Sequence, residues 1–147
     1  MDTRTKPNRQ LYRIRAQLIN AIPLATHALA ALIPLLWWSA IRDSFSPILI
    51  VGAIVVGNLP DMDTAASHIG RIFYPIAKQI ETRFGHRTIT HSLLATVIVA
   101  ALAYICSSFI DSSLIGPWWW WPVFYASHLA LDLVVGGGTP IPLLWPA

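Results

Sequence analysis

A chain of 147 residues is the length of one domain. It is 55% apolar and only 12% charged, against about 25% charged in soluble domains, and its mean hydropathy is +0.57. These values exclude an ordinary soluble globule and point to an integral membrane protein, and the net charge of +3 is read as membrane orientation rather than as a nucleic-acid surface.

Residues 1–17 form a basic stretch, with Arg4, Lys6, Arg9, Arg13 and Arg15 opposed only by Asp2. The apolar run that follows is longer than the roughly 7–15 residues of a signal-peptide core, and no small-residue cleavage site ends it. A cytoplasmic tail feeding a retained helix is therefore expected. Four apolar runs follow one another, at 18–40, 46–60, 90–110 and 118–136. A bilayer crossing needs about 20 apolar residues in helix, and lipid leaves a spanning backbone only helix or closed barrel. Runs without strict alternation mean helices, so the expectation is an all-α polytopic membrane protein whose four-helix core covers 18–136. Residues 137–147 are rich in glycine and proline and are expected to fold back at the interface.

Within these runs Pro23 and Pro34 are candidate kink points, and Ala53 with Gly57 presents a small face for close helix approach. Cys106 is the single cysteine. It lies inside an apolar run and reads as a small apolar residue. Nine of the ten Lys and Arg residues fall in the amino-terminal stretch and in the connection between the second and third runs. By the positive-inside rule both are cytoplasmic. Trp37, Trp38 and Trp118 to Trp121 then gather at the opposite interface as an aromatic belt.

Polar groups stand at the cytoplasmic ends of all four runs. They are His27 on the first, Asp61 and Asp63 after the second, His86, Arg87 and His91 before the third, and His128 with Asp132 on the fourth. Ionisable groups at membrane depth mark function. His128 and Asp132 are i and i+4, hence on one helix face and able to approach one ion. A turn after Pro60 can aim Asp61 and Asp63 inward. His86 and His91 are five apart and cannot both face inward from one regular helix. His86 is therefore expected in the loop, Thr88 or Thr90 as the helix cap, and His91 in the first turn. Imidazole with carboxylate favours zinc, manganese, iron or nickel over calcium or magnesium. Ser92 reads as a helix-start hydrogen bonder rather than a nucleophile, and His68 as a solvated loop residue.

GNLPDMD (57–63), HRTITHS (86–92), SHLALD (127–132) and LLWP (143–146) occur in this order. The chain thereby resembles a bacterial inner-membrane family of metal-dependent hydrolases, the LexA-regulated YdjM type, over nearly its whole length. His-Arg-x-x-Thr-His-Ser is the most specific element. The resemblance implies a bacterial inner-membrane location and metal ligation by His27, Asp61, Asp63, His86, His91, His128 and Asp132. The chain departs from the pattern at Thr64, where a histidine often stands, and at Val134 to Gly138, where a threonine is usual.

The expectation that follows is a hydrolase at the cytoplasmic leaflet using one or two divalent transition ions, zinc or manganese foremost. Asp63 or Asp61 would act as base and Arg87 would hold a substrate anion. An amphiphilic substrate drawn from the membrane lipid, a lipid ester or phosphodiester, fits that depth. A non-catalytic membrane interaction protein with a structural metal, and a metal or proton transporter, are the alternatives; oligomeric state is not readable.

Overall fold

The computed structural model describes residues 9–42, 46–135 and 141–146, with side chains from residue 23 onward. Its elements in chain order are α1 (Arg9–Arg42), α2 (Pro47–Val56), a 3-10 turn (Leu59–Asp63), α3 (His68–Ile72), α4 (Tyr74–Phe84), α5 (Leu93–Ser107), α6 (Ser112–Ile115) and α7 (Trp120–Val135). The described residues contain no strand, as the apolar runs predict.

α1 starts earlier than the sequence reading places it. Residues 9–17 of the expected basic tail are already helical, because nothing between Asn8 and Ile22 is glycine or proline and most of it favours helix. Residues 1–8 lie outside the described residues. α1 runs unbroken through Pro23 and Pro34, and Thr26 Oγ1 donates to the Pro23 carbonyl at 2.9 Å.

Among the described residues one helix, Pro23–Arg42 within α1, is long and apolar enough to cross a membrane. The others are shorter than the runs that contain them. α2 ends at Val56 because Pro60 cannot continue an α-helical ladder, and the chain tightens into a 3-10 turn instead. α5 begins at Leu93 rather than at residue 90 because Ser92 caps it, its Oγ accepting from Ala95 N at 3.2 Å. That corrects the assignment of the cap to Thr88 or Thr90, and it leaves His91 outside the helix. The connection expected as loop holds α3, capped by Ser67 Oγ accepting from Gly70 N at 2.8 Å. It also holds α4, whose Pro75 sits in the first turn where a missing N–H costs little.

α1, α2 and α7 pack on one another around Ala31, Leu35, Leu49, Ala53, Trp120 and Phe124. Gly57 makes the approach of α2 to α1 possible, since a Cβ there would stand 2.8 Å from the Ala31 Cβ. α5 packs on α7 and buries none of its residues. Leu94, Val97, Ile98, Leu102 and Ile105 are all exposed. Soluble monomers rarely show so much contiguous apolar surface, and lipid is the solvent it suits. Trp38 meets Trp119 and Trp120 edge-on, and Trp120 is buried in the core rather than belted at an interface. Along α1, Trp38 stands about 16 Å from His27 at 1.5 Å per residue, so aromatic and polar clusters occupy opposite ends. Residues 141–146 fold against the start of α5, with Leu93 N donating to the Leu143 carbonyl at 2.9 Å and Trp145 edge-on to Phe84. Residues 137–140 and 147 of the expected tail lie outside the described residues.

Candidate metal centre

Four pieces of chain deliver the polar cluster: α1, the Leu59–Asp63 turn, the loop 85–92 and α7. The turn is fixed from both sides. Asn58 Nδ2 donates to the Ile54 carbonyl at 2.8 Å, and Ser67 Oγ donates to the Asp61 carbonyl at 2.6 Å. In the loop, Gly85 and Arg87 both have positive φ, 83° and 61°. A non-glycine residue in that region is uncommon and is held there by its surroundings. Here the holding contacts are Arg87 N donating to Asp63 Oδ2 at 2.7 Å and Thr88 Oγ1 donating to the Gly85 carbonyl at 2.9 Å. Tyr125 OH on α7 donates to the Thr90 carbonyl and so ties the loop to that helix.

Asp63 is fully buried and its oxygens are occupied. Oδ1 meets His86 Nδ1 at 2.8 Å, and Oδ2 accepts from Arg87 N and from Thr90 Oγ1, each at 2.7 Å. His91 Nδ1 stands 3.3 Å from the same oxygen. Burial alone would raise its pKa, but the bonds from His86, His91 and Thr90 outweigh burial and hold the carboxyl well below the usual range. Asp61 shifts the same way: burial opposes, and His128, His27 and His91 prevail.

The two central histidines are aimed from behind. His128 Nδ1 faces the Gly57 carbonyl at 2.7 Å, which can only accept, so Nδ1 donates and Nε2 faces inward. His91 Nδ1 stands 3.2 Å from Thr90 Oγ1 and 3.3 Å from Asp63 Oδ2, which turns its Nε2 inward as well. A carboxylate or carbonyl behind a ligating imidazole is the usual way a metal-binding histidine is aimed. Burial would lower the pKa of the His91 ring, but Asp132, Asp63 and Asp61 prevail and raise it to about 9 in the metal-free protein.

Inside this ring, His91 Nε2, His128 Nε2 and Asp132 Oδ2 are buried with no hydrogen-bond partner, as is Nδ1 of the neighbouring His27. Each such atom costs roughly 1–3 kcal/mol, so a cluster of them calls for a cation. The separations fit one. His91 Nε2 is 3.4 Å from Asp132 Oδ2 and 3.8 Å from Asp61 Oδ1. His128 Nε2 is 3.6 Å from Asp61 Oδ1 and 3.8 Å from Asp132 Oδ2. Tetrahedral ligands at zinc distances stand roughly 3.3–3.4 Å apart. A second group joins it: His27, stacked on His128 with ring centroids 3.6 Å apart, forms a possible metal-holding set with His128 and Asp132, its Nε2 3.5 Å from Asp132 Oδ1.

Of the seven expected ligands, the geometry brings His27, Asp61, His91, His128 and Asp132 together around the unsatisfied atoms. Asp63 and His86 stand behind His91. Arg87 Nη2 lies 3.4 Å from both Asp132 oxygens. A cavity of about 210 Å³ opens beside the cluster, lined by His27, Asn58, Asp61, His68, His86 and Arg87 among others. Sequence reasoning missed Asn58, Thr90 and Tyr125 as parts of this region and set His68 aside. Asn58 and Thr90 lie inside the quoted motifs, and that adjacency was the available signal.

The chain's residues 22–147 match the family of YdjM inner membrane proteins. It is 32% identical to inner membrane protein YdjM of Escherichia coli K12 over 118 residues, 75% of this chain and 50% of that protein. It is 38% identical to the uncharacterized protein YvsG of Bacillus subtilis 168 over 106 residues, 70% of this chain and 61% of that one. Inner membrane protein YbcI of E. coli K12 is 33% identical over 101 residues, 68% of this chain and 54% of the relative. The chain thus spans about half to three fifths of the length of these relatives, and no solved structure matches it. With a family match running from the start of the apolar core to the last residue, the chain belongs to the YdjM inner membrane protein family.

Proposed function

We propose that this protein is a membrane-embedded, metal-dependent hydrolase acting at the cytoplasmic face of the inner membrane. The observation that carries the reading is that His91 Nε2, His128 Nε2 and Asp132 Oδ2, buried and without hydrogen-bond partners, lie within 3.4–3.8 Å of a neighbouring cluster atom beside a cavity. The fold is one membrane-embedded domain with four crossings and a cytoplasmic amino terminus. α2, α5 and α7 are completed by flanking turns, with local thinning of the bilayer absorbing the shortfall.

Asp61, His91, His128 and Asp132 would hold a first ion, zinc or manganese. His27 would join them or, with His128 and Asp132, would hold a second. A divalent ion there supplies Lewis acidity toward a phosphoryl or carbonyl oxygen and makes water acidic enough to attack near neutral pH. Asp63, expected as a ligand or base, has its oxygens engaged by surrounding donors, so its role is to aim His91; His86 braces Asp63. Arg87 keeps an anion-holding role, with its guanidinium between Asp132 and the cavity. The substrate is an amphiphile of the membrane carrying a hydrolysable ester.

His27 and Asp61 line the cavity and the cluster alike, which favours an accessible catalytic site over a closed structural one. Transport is disfavoured because the packed layer of Ala31, Leu35, Ala53 and Phe124 between α1, α2 and α7 is apolar and buried. The test is metal content of detergent-purified protein, wild type beside His91→Ala and Asp132→Ala, followed by turnover on a panel of lipid esters and phosphoesters. One or two equivalents lost in both folded variants, with turnover in the wild type, supports the reading. Absence of metal after resupply with zinc and manganese sinks it. Metal without turnover would support the interaction-protein alternative.

A further inference from the structure

We infer that the cavity beside the metal centre receives the terminal phosphate of a phosphomonoester, held by His68 and Arg87, and that Asn58 reads the hydrogenphosphate released from it. The inference rests on the hydrolase reading and names its substrate class. Size is the first argument. At about 210 Å³ the cavity is smaller than the roughly 300–1,000 Å³ of ordinary ligand pockets. It admits a compact polar group and leaves the rest of an amphiphile outside, and Pro23, Leu24 and Ile69 give part of its lining an apolar character.

The lining chooses the group. His68, His86 and Arg87 line the cavity, and the planar guanidinium suits phosphate oxygens. Ser67 and Thr64, also at its wall, are already committed to the Asp61 carbonyl and to Glu81. His68 is only partly buried and has no hydrogen-bond or ion-pair partner among the described residues. It is therefore an imidazole free to donate to a ligand, in a wall where Ser67 and Thr64 are already engaged.

Asn58 supplies the independent observation. Its side chain is 1% exposed and its Nδ2 is used by the Ile54 carbonyl. Its Oδ1 is buried at the cavity with no partner. A buried acceptor without a donor is costly, so a ligand that brings a donor there gains over one that brings none. Hydrolysis of a phosphomonoester supplies one. Water attack forms one P–O bond as the ester P–O bond breaks. One water proton ends on the alcohol oxygen, and the other stays on the released hydrogenphosphate, where Asn58 Oδ1 accepts it. Sulfate at neutral pH has no such proton.

The experiment is calorimetric titration of zinc-loaded, detergent-solubilised full chain with inorganic phosphate and with sulfate, for wild type and His68→Ala. Zinc content is measured on every sample. Phosphate is expected to bind at least about tenfold more tightly than sulfate, and His68→Ala to weaken phosphate about tenfold with zinc unchanged. Equal binding of the two anions, or an unaltered phosphate affinity in His68→Ala, overturns the inference while leaving the metal centre standing. Loss of zinc from the wild type overturns the hydrolase reading and this one with it. Two further arms identify the source of the phosphate. Displacement of phosphate by phosphatidate in mixed micelles, with none by phosphatidylcholine, supports a lipid phosphomonoester; displacement by neither, with the anion results intact, supports a water-soluble one.

Discussion

His128 on α7 donates from Nδ1 to the carbonyl oxygen of Gly57 at the end of α2, 2.7 Å away, so the packing of two helices sets the direction of a ligand lone pair. A side chain at Gly57 would press on Ala31, whose Cβ would stand 2.8 Å from the new one. Gly57→Ala is expected to destabilise the protein by about 1–3 kcal/mol through overpacking and to weaken zinc binding about tenfold by moving the carbonyl. Thermal unfolding in detergent and competition against a zinc chelator measure the two effects separately.

Asp63→Asn keeps shape and removes charge behind His91. Supporting residues of this kind typically contribute 10–100-fold in metal affinity, and a loss within that range is expected. A variant that binds zinc like the wild type would show that Asp63 does not aim the ring.

His91→Ala removes an unsatisfied nitrogen from the cluster, whereas His86, 42% exposed in its side chain, bonds Asp63 and packs edge-on against the His91 ring. Zinc content should collapse in His91→Ala and persist in His86→Ala, at reduced affinity. Equal loss in both would place His86 among the ligands.

The pH dependence follows from the carboxylates around His91, which raise its pKa to about 9. In metal-free protein the ring is raised above its unfolded value of about 6.5, so its stabilising contribution is complete below that pH and is lost as pH rises through about 9. Chelator-treated wild type should melt lower at alkaline pH than at pH 6, and His91→Gln should show a flatter profile. Zinc competes with the same proton, so its apparent affinity should fall as pH drops below about 9, by up to tenfold per unit from this group. Zinc competition titrations across pH would test that slope.

The all-helical class and the grouping of His27, Asp61, His91, His128 and Asp132 were legible because apolar runs and helical spacing are local signals. The i, i+4 pair His128 and Asp132 fixes a shared face without tertiary knowledge. The division between ligands and supports was not legible. Nothing in the spacing says that Asp63 turns toward His86, Arg87 N and Thr90 while Asp61, two residues earlier, turns toward His128; the 3-10 turn after Pro60 decides it. Ser92 as cap, and hence His91 outside the helix, depends on Ser92 Oγ reaching Ala95 N, where Thr88 and Thr90 were equally plausible by composition. His68 was set aside because its neighbours in sequence carry no partner, and α3 brings it to the cavity by a fold the apolar pattern does not encode.

His27 lies on the first helix and stacks on His128 of the last. The two rings come together only when α7 packs on α1, so the cluster is a property of the assembled helices and of no single segment. A chain halted before α7 carries scattered histidines and aspartates without the shared site, and formation of that site therefore reports completed packing.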